Sequence, residues 1–418
     1  MTYQVAVVGT GDPDQTDSYA MAYRHARGYR RLDDCSLLAC ADIVEENARA
    51  FAQTFDIDHV YHDYERMLVE TSPDIVSVCT PPGVHAPIVV GCAESGVVDA
   101  IHCEKPMAEN WGECREMVTA CDRHDVLLTF NHQRRFAAPY RQAKAMLEEG
   151  RIGELERLEI GGNDLFDYGT HLFDMCGYLT DQTPVEWVLG QVDYRDPERV
   201  YGLYQENQAL SRWRYESGVD GLASTGENGL VRCELRVIGA DGTIEIGHED
   251  GPPLRIRENG SGWKTVDTGR DGIWRPQPGP LGALDGLLER IPVGPDRLFT
   301  GPTYVGRAIA DVVDALRSGS ESELAARNAL QTTEVIFASW ESARRGERVD
   351  LPLDIEDNPL QAMVESRERR QARMTDTNTY EAGMTDRQNR DTDRLSGDTD
   401  RTTGETGMPD RRTRDTRP

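Results

Sequence analysis

The feature that most constrains this chain is the exchange of short apolar runs with helical stretches over its first 130 residues. Residues 3–8, 35–41, 74–79, 97–103 and 126–130 read as strands, and residues 19–31, 44–55, 64–70, 85–95 and 111–124 read as helices. Strand and helix alternating at such short intervals predict a parallel, doubly wound sheet with helices on both faces. In sheets of this kind ligands bind outside the carboxyl ends of the strands. Gly9, Asp42, Thr80, Lys105 and Asn131 all fall at strand ends in this reading, so the polar and glycine residues gather along one edge.

The first strand runs directly into Gly9-Thr10-Gly11, the expected opening of a dinucleotide-binding unit. The third glycine of the usual pattern is replaced by Asp14, and residues 11–17 are polar and helix-breaking. An enlarged turn is therefore expected, with Ser18 as the cap of the first helix. Asp42, at the tip of the second strand, is placed to accept hydrogen bonds from adenosine ribose hydroxyls. Its charge would repel a 2′-phosphate, which favours NAD over NADP. The plainer role for Asp42 is a cap for the helix that follows, and both roles are compatible.

Glu104-Lys105-Pro106 follows a buried-looking strand end. The chain holds three lysines among 46 basic residues, so arginine is its default cation. A lysine retained here offers a compact point charge and the option of deprotonation, which arginine does not. The alternative is a solvated loop lysine paired with Glu104.

In the second half, residues 139–149 read as a helix and 155–160 as a strand, running almost directly into Gly161-Gly162. Beyond them, Leu172, Met175, Cys176 and Leu179 form one helical face, while Asp167, His171, Asp174 and Tyr178 share another. That polar face is either solvated or a cluster of reactive groups. From about 186 to 267 the pattern turns to β, with Gly and Asp-Gly turns, and two amphipathic helices follow at 301–317 and 323–345. The expected fold class is an α/β Rossmann domain plus an α+β domain with a largely antiparallel open sheet. The boundaries are 1–132, 133–354 with its final helices packing back on the first domain, and 355–418 as linker and disordered tail.

A net charge of −27 excludes nucleic acid and anionic membrane as natural partners. Abundant carboxylate with scarce lysine fits a high-salt cytoplasm, where ions screen self-repulsion. Nine cysteines without a CxxC pair read as buried thiols in a reducing compartment, and scattered histidines predict no metal site. No apolar run is long enough to span a membrane, and an apolar strand beginning at Tyr3 predicts no cleavable leader. The expected location is cytoplasmic.

Taken together, the glycine turn, Asp42, Thr80-Pro81-Pro82 with His85, Glu104-Lys105-Pro106 and Asp167-x-Gly169-x-His171-x-x-Asp174 resemble the Gfo/Idh/MocA oxidoreductases, the family of glucose–fructose oxidoreductase and inositol dehydrogenase. The late pair around Gly239-Ala240-Asp241-Gly242-Thr243 adds to the likeness, which covers residues 3–353. The resemblance implies NAD(P)-linked oxidation of a sugar or cyclitol hydroxyl, and an open sheet that supports homo-dimers or homo-tetramers. It implies Lys105, Asp167 and His171 as catalytic residues, with Asn131 and Arg135 joining them at the substrate. It also implies Gly9, Thr10, Gly11, Asp42, Thr80, Pro81, His85, Glu104 and Lys105 at the cofactor. The family carries a longer segment before its second motif, often part of the pocket. Here that wall is either built from elsewhere or missing.

In the expected mechanism His171 accepts the hydroxyl proton, Asp167 orients it or the substrate, and Lys105 holds the reacting oxygen. Two other functions use the same parts: an NAD-retaining lyase or glycosidase acting through transient oxidation, and a non-catalytic NAD-binding sensor.

Overall fold

The structure, a computed structural model, describes residues 2–12, 21–269 and 303–373. The expected cap Ser18, Asp14 and the tail beyond 373 lie outside the described residues. Six strands form the first sheet: β1 (Tyr3–Val8), β2 (Cys35–Ala41), β3 (His59–Tyr61), β4 (Ile75–Val78), β5 (Ala100–Cys103) and β6 (Leu127–Phe130). Their order is β3-β2-β1-β4-β5-β6, and every pairing is parallel. The order reverses between β1 and β4, so a crevice opens beside the Gly9 turn.

Helices α1 (Met21–Tyr29), α2 (Glu45–Phe55), α3 (Tyr64–Thr71), α4 (His85–Glu94) and α5 (Trp111–His124) supply the crossovers. Their starts follow from their caps: Asp63 accepts from Glu65 N at 2.9 Å, and Asn110 accepts from Glu113 N at 3.0 Å. On one face Tyr23, Phe51 and Phe55 pack with Val7 and Cys40, and on the other Met67, Val89 and Met117 join the main core. β4 and β5 are buried along their whole length, as central parallel strands require.

A single-turn helix at Gln133–Phe136 leads into α6 (Ala138–Glu148), β7 (Leu155–Ile160) and α7 (Gly169–Leu179). Then come β8 (Val185–Asp193), β9 (Glu198–Val200), β10 (Leu203–Gln205), β11 (Gln208–Tyr215), β12 (Asp220–Thr225), β13 (Leu235–Gly239), β14 (Gly242–Ile246), β15 (Leu254–Glu258) and β16 (Lys264–Thr265). The chain closes with α8 (Tyr304–Ser318), α9 (Ala326–Arg345) and β17 (Val349–Asp350). The second sheet has nine strands in the order β16-β15-β14-β13-β7-β12-β11-β8-β17. All its pairings are antiparallel except β7 with β12. β11 alternates buried and exposed residues, so one face packs on helices and the other is open. Ser211 meets Ser339 of α9 at 2.7 Å, and Phe173 of α7 stacks on Trp213 at 5.0 Å on the packed face.

The two late helices join the sheets. Ile309 and Val313 of α8 enter a core with Val5, Tyr29 and Ile75. Phe337 of α9 lies between Trp111 and Phe166, and Trp111 Nε1 donates to Leu353 O at 3.1 Å. Residues 355–373 are not the plain linker expected: residues 359–373 form a helix, and Leu360, Met363 and Val364 are buried at its start. That spacing of i, i+3 and i+4 is a helical apolar stripe.

Candidate active site

At the end of β1, Gly9 has φ +82°, and a Cβ there would lie 2.6 Å from Thr80 Cγ2 and 3.0 Å from Cys79 O. Only glycine allows β1 and β4 to close this tightly. The turn beyond it gathers donors: Thr10 N, Thr10 Oγ1 and Gly11 N reach Asp42 Oδ2 at 2.8, 2.9 and 3.2 Å. Asp42 Oδ1 accepts from Val44 N at 2.8 Å, just ahead of α2. Asp42 therefore braces the turn as well as standing at the strand tip. The three donors are held by the Asp42 carboxylate itself, and the buried Thr80 Oγ1 has no partner. This turn and strand tip fit a dinucleotide.

Thr80 O accepts from His85 Nε2 at 2.7 Å, while His85 Nδ1 lies 3.0 Å from both Pro106 O and Met107 O. His85 is fully buried, so it clips the Thr80-Pro81 turn to the Lys105-Pro106 turn and does not face the crevice. Burial also pushes its imidazole below the usual range. Glu104 is likewise turned inward. Its Oε1 lies 2.9 Å from His25 Nε2 and accepts from Asn131 Nδ2 at 2.6 Å. Burial pushes this carboxyl up, but the His25 bond and charge and the Asn131 bond outweigh it, bringing it to about 2. The expected substrate contact from Asn131 gives way to this role: the side chain is wholly buried beneath Glu104.

Lys105 faces the opening. Its Nζ lies 2.9 Å from Asp167 Oδ1 and 2.9 Å from Asp167 O. The lysine thus pairs with Asp167 of the second motif, not with its neighbour Glu104. His171, one helical turn on, is buried, and its Nδ1 has no hydrogen-bond partner. Burial, then the positive charges of Arg134 and Lys105, hold its imidazole well below the usual 6.5, so it is neutral at pH 7. The polar face of α7 is not solvated, since every residue from Gly169 to Leu179 is buried. Asp174 takes Arg135 in a two-point ion pair at 2.8 and 2.6 Å. Arg135, with 3% of its side chain exposed, is held in that pair.

Residues 3–132 match the model of an oxidoreductase family with an NAD-binding Rossmann fold, Gfo/Idh/MocA. Myo-inositol 2-dehydrogenase of Thermotoga maritima is 24% identical over 237 residues, 53% of this chain and 70% of that protein. D-apiose dehydrogenase of Paraburkholderia graminis is 25% identical over 352 residues, covering 78% and 86%. The WlbA dehydrogenase of Bordetella pertussis, solved with NADH and UDP-GlcNAcA, superposes with a TM-score of 0.63 at 22% identity over 85% of this chain and all of that one. Residues 3–132 are thus similar to the NAD-binding Rossmann domain of the Gfo/Idh/MocA oxidoreductases.

Several residues of the candidate site escaped sequence reasoning. His25 on α1 bonds Ser77 Oγ at 2.7 Å as well as Glu104, so the helix after the glycine turn holds the strand end that carries Lys105. His132 Nε2 contacts Thr170 Oγ1 at 3.1 Å and its ring meets His171 edge-on. Glu206 Oε1 accepts from Leu165 N at 2.6 Å and Oε2 from Trp340 Nε1 at 3.0 Å, fixing the turn that presents Asp167. Arg134 and Glu234 pair at 3.1 Å beside Tyr168. None carried a signal beyond its residue type, because each acts through a partner far along the chain. Among the described residues no group of three or more His, Cys, Asp or Glu side chains could hold a metal.

Proposed function

We propose that this chain oxidises a secondary hydroxyl of a sugar, cyclitol or related polyol, or reduces the matching carbonyl, using NAD. The observation that carries this reading is Lys105 Nζ, held 2.9 Å from Asp167, in one cluster with a neutral, buried His171 whose Nδ1 is unpartnered. NAD, when bound, supplies the hydride acceptor. Gly9, Thr10, Gly11, Asp42, Thr80 and Pro81 would hold it at the crevice edge, and Asp42 at the strand tip favours NAD over NADP. Lys105 binds the substrate oxygen and stabilises negative charge as its proton leaves. His171 takes that proton, being unprotonated and ready at neutral pH. Asp167 aims the ammonium. A sensor has no need of these three groups in register. The names of the relatives, an inositol and an apiose dehydrogenase, support the substrate class.

The exposed face of the second sheet carries Leu189 and Leu210 on neighbouring strands, which supports a homo-dimer or homo-tetramer formed through it. All nine cysteines are free thiols, which fits a reducing, cytoplasmic setting, and the acidic composition fits high salt. A panel of sugars and cyclitols with NAD in molar KCl tests the activity. NADH formation with at least one of them is the expected result, and NAD binding without turnover on any member contradicts it.

A further inference from the structure

The inference rests on the dehydrogenase reading above and names the kind of substrate that the site admits. Beyond β7, where the pocket wall is short, the backbone of residues 231–233 crosses Gly161. A Cβ on Gly161 would lie 2.4 Å from Val231 O and 2.6 Å from Cys233 O, so the crossing needs glycine. This crossing delivers Glu234 to the site. Its Oε1 accepts from Tyr168 OH at 2.6 Å, and its Oε2 accepts from Tyr140 OH at 2.9 Å and Arg134 Nη1 at 3.1 Å. Tyr168 directly follows Asp167, and the Arg134 guanidinium lies 4.5 Å over its ring.

The charges here cancel. Lys105 and Arg134 contribute two positive charges, Asp167 and Glu234 two negative, and His171 none. Each cation is already ion-paired, at 2.9 and 3.1 Å. Exposure is unequal as well: the Arg134 side chain is 1% exposed, those of Lys105 and Glu234 are 17% and 18% exposed, and that of Asp167 is 29% exposed. A substrate carboxylate or phosphate would thus meet two carboxylates beside the one accessible cation, Lys105, and find no unneutralised cation among these groups. Behind them Asp164 and Glu206 add only further carboxyl groups. Sugar hydroxyls are donors, and a carboxylate oxygen that accepts one bond retains room for another.

We propose that the substrate is an uncharged polyol rather than a sugar acid or sugar phosphate, and that Glu234 determines this. Its carboxylate accepts a hydroxyl away from the reacting carbon and repels anionic analogues. The test compares kcat/KM of the full chain with NAD on matched pairs, each an aldose or cyclitol and its carboxylate counterpart. Wild type is expected to favour the neutral member by about tenfold or more, since like charges across a contact are strongly disfavoured. Glu234→Gln keeps the shape, frees the Arg134 charge and narrows or inverts the ratio, chiefly through a lower KM for the acid. A wild type that prefers the acid, or a variant that loses the same factor on both members, overturns the proposal. Should Glu234→Gln not fold, the wild-type ratio decides alone. NAD binding with no turnover on any pair removes the dehydrogenase reading, and this inference with it.

Discussion

In the proposed reaction Lys105 and His171 divide the chemistry by charge state: one is a cation anchored by Asp167, the other a neutral imidazole. Lys105→Arg keeps the charge but replaces a compact ammonium with a planar fork. It is expected to lower kcat by about a hundredfold, because a displacement of about 1 Å at the reacting carbon is enough for that. Isothermal titration is expected to find NAD binding within a few-fold of wild type, since the glycine turn is untouched. His171→Asn is expected to match the loss, and the double variant to be little worse than either, as both act on one proton. The pH dependence follows from the same residue. With His171 held well below its usual 6.5, the acid limb of kcat/KM is expected below that value, down to the pH where circular dichroism reports unfolding. A limb at or above 6.5 would remove His171 as the base. The pairing of residue types in the two motifs made Lys105, Asp167 and His171 legible in the sequence. Asn131 and Arg135 were not, because whether a polar side chain faces ligand or interior depends on Glu104 and Asp174, which only folding brings beside them.

Elements were readable where periodicity was strong and less so where a neighbour decided the outcome. Five of the six parallel strands follow from apolar runs ended by polar residues, whereas β3, only three residues long, exists through its pairing with β2. β12, with Asp220 and Gly221 at its start, and the three-residue strands β9 and β10 lack such runs and exist through their pairing. The helix at 359–373 is hidden by its charged second half. Among the elements, α9 fixes the active-site turn through Trp340 and Glu206. Burial, then the neighbouring Asp164, raises the Glu206 carboxyl from 4.5 to about 8. In the unfolded chain it ionises first, so the stability it contributes is present below about 4.5 and is lost as pH rises toward 8. Glu206→Gln does not titrate but offers one acceptor where the carboxyl offers two, so it is expected to melt below wild type at pH 5 and to lack the fall in melting temperature that Glu206 imposes between pH 5 and 8. Glu206→Ala leaves Leu165 N–H and Trp340 Nε1–H buried without partners and is expected to cost about 2–4 kcal/mol in denaturant unfolding. Equal melting curves for all three proteins at both pH values would show that the tie is dispensable.

At the scale of the whole molecule, buried histidines set the acid limit of the fold. His85, His102, His132 and His171 are all shifted down, each first by burial, His102 to about 3. Below the usual 6.5 the unfolded chain takes up these protons and the folded one does not, so the histidine contribution to stability is expected to be flat above that pH and to fall steeply beneath it. Urea midpoints measured between pH 5 and 8 check this, and a midpoint that holds steady down to pH 5 would contradict it. Composition revealed the charge of the molecule and the two-sheet plan, but not how the pocket wall is closed. The Gly161 crossing and Glu234 emerge only when β7 meets the segment before β13. In the proposed reaction a hydride passes between a polyol carbon and NAD beside Lys105, Asp167 and His171. Its most direct test is to incubate the purified chain with NAD and a polyol deuterated at the oxidised carbon, then examine the reduced cofactor by mass spectrometry. Deuterium in the NADH of the wild type, and its loss in Lys105→Arg, is the predicted result. NADH without deuterium, or full transfer by Lys105→Arg, would contradict it.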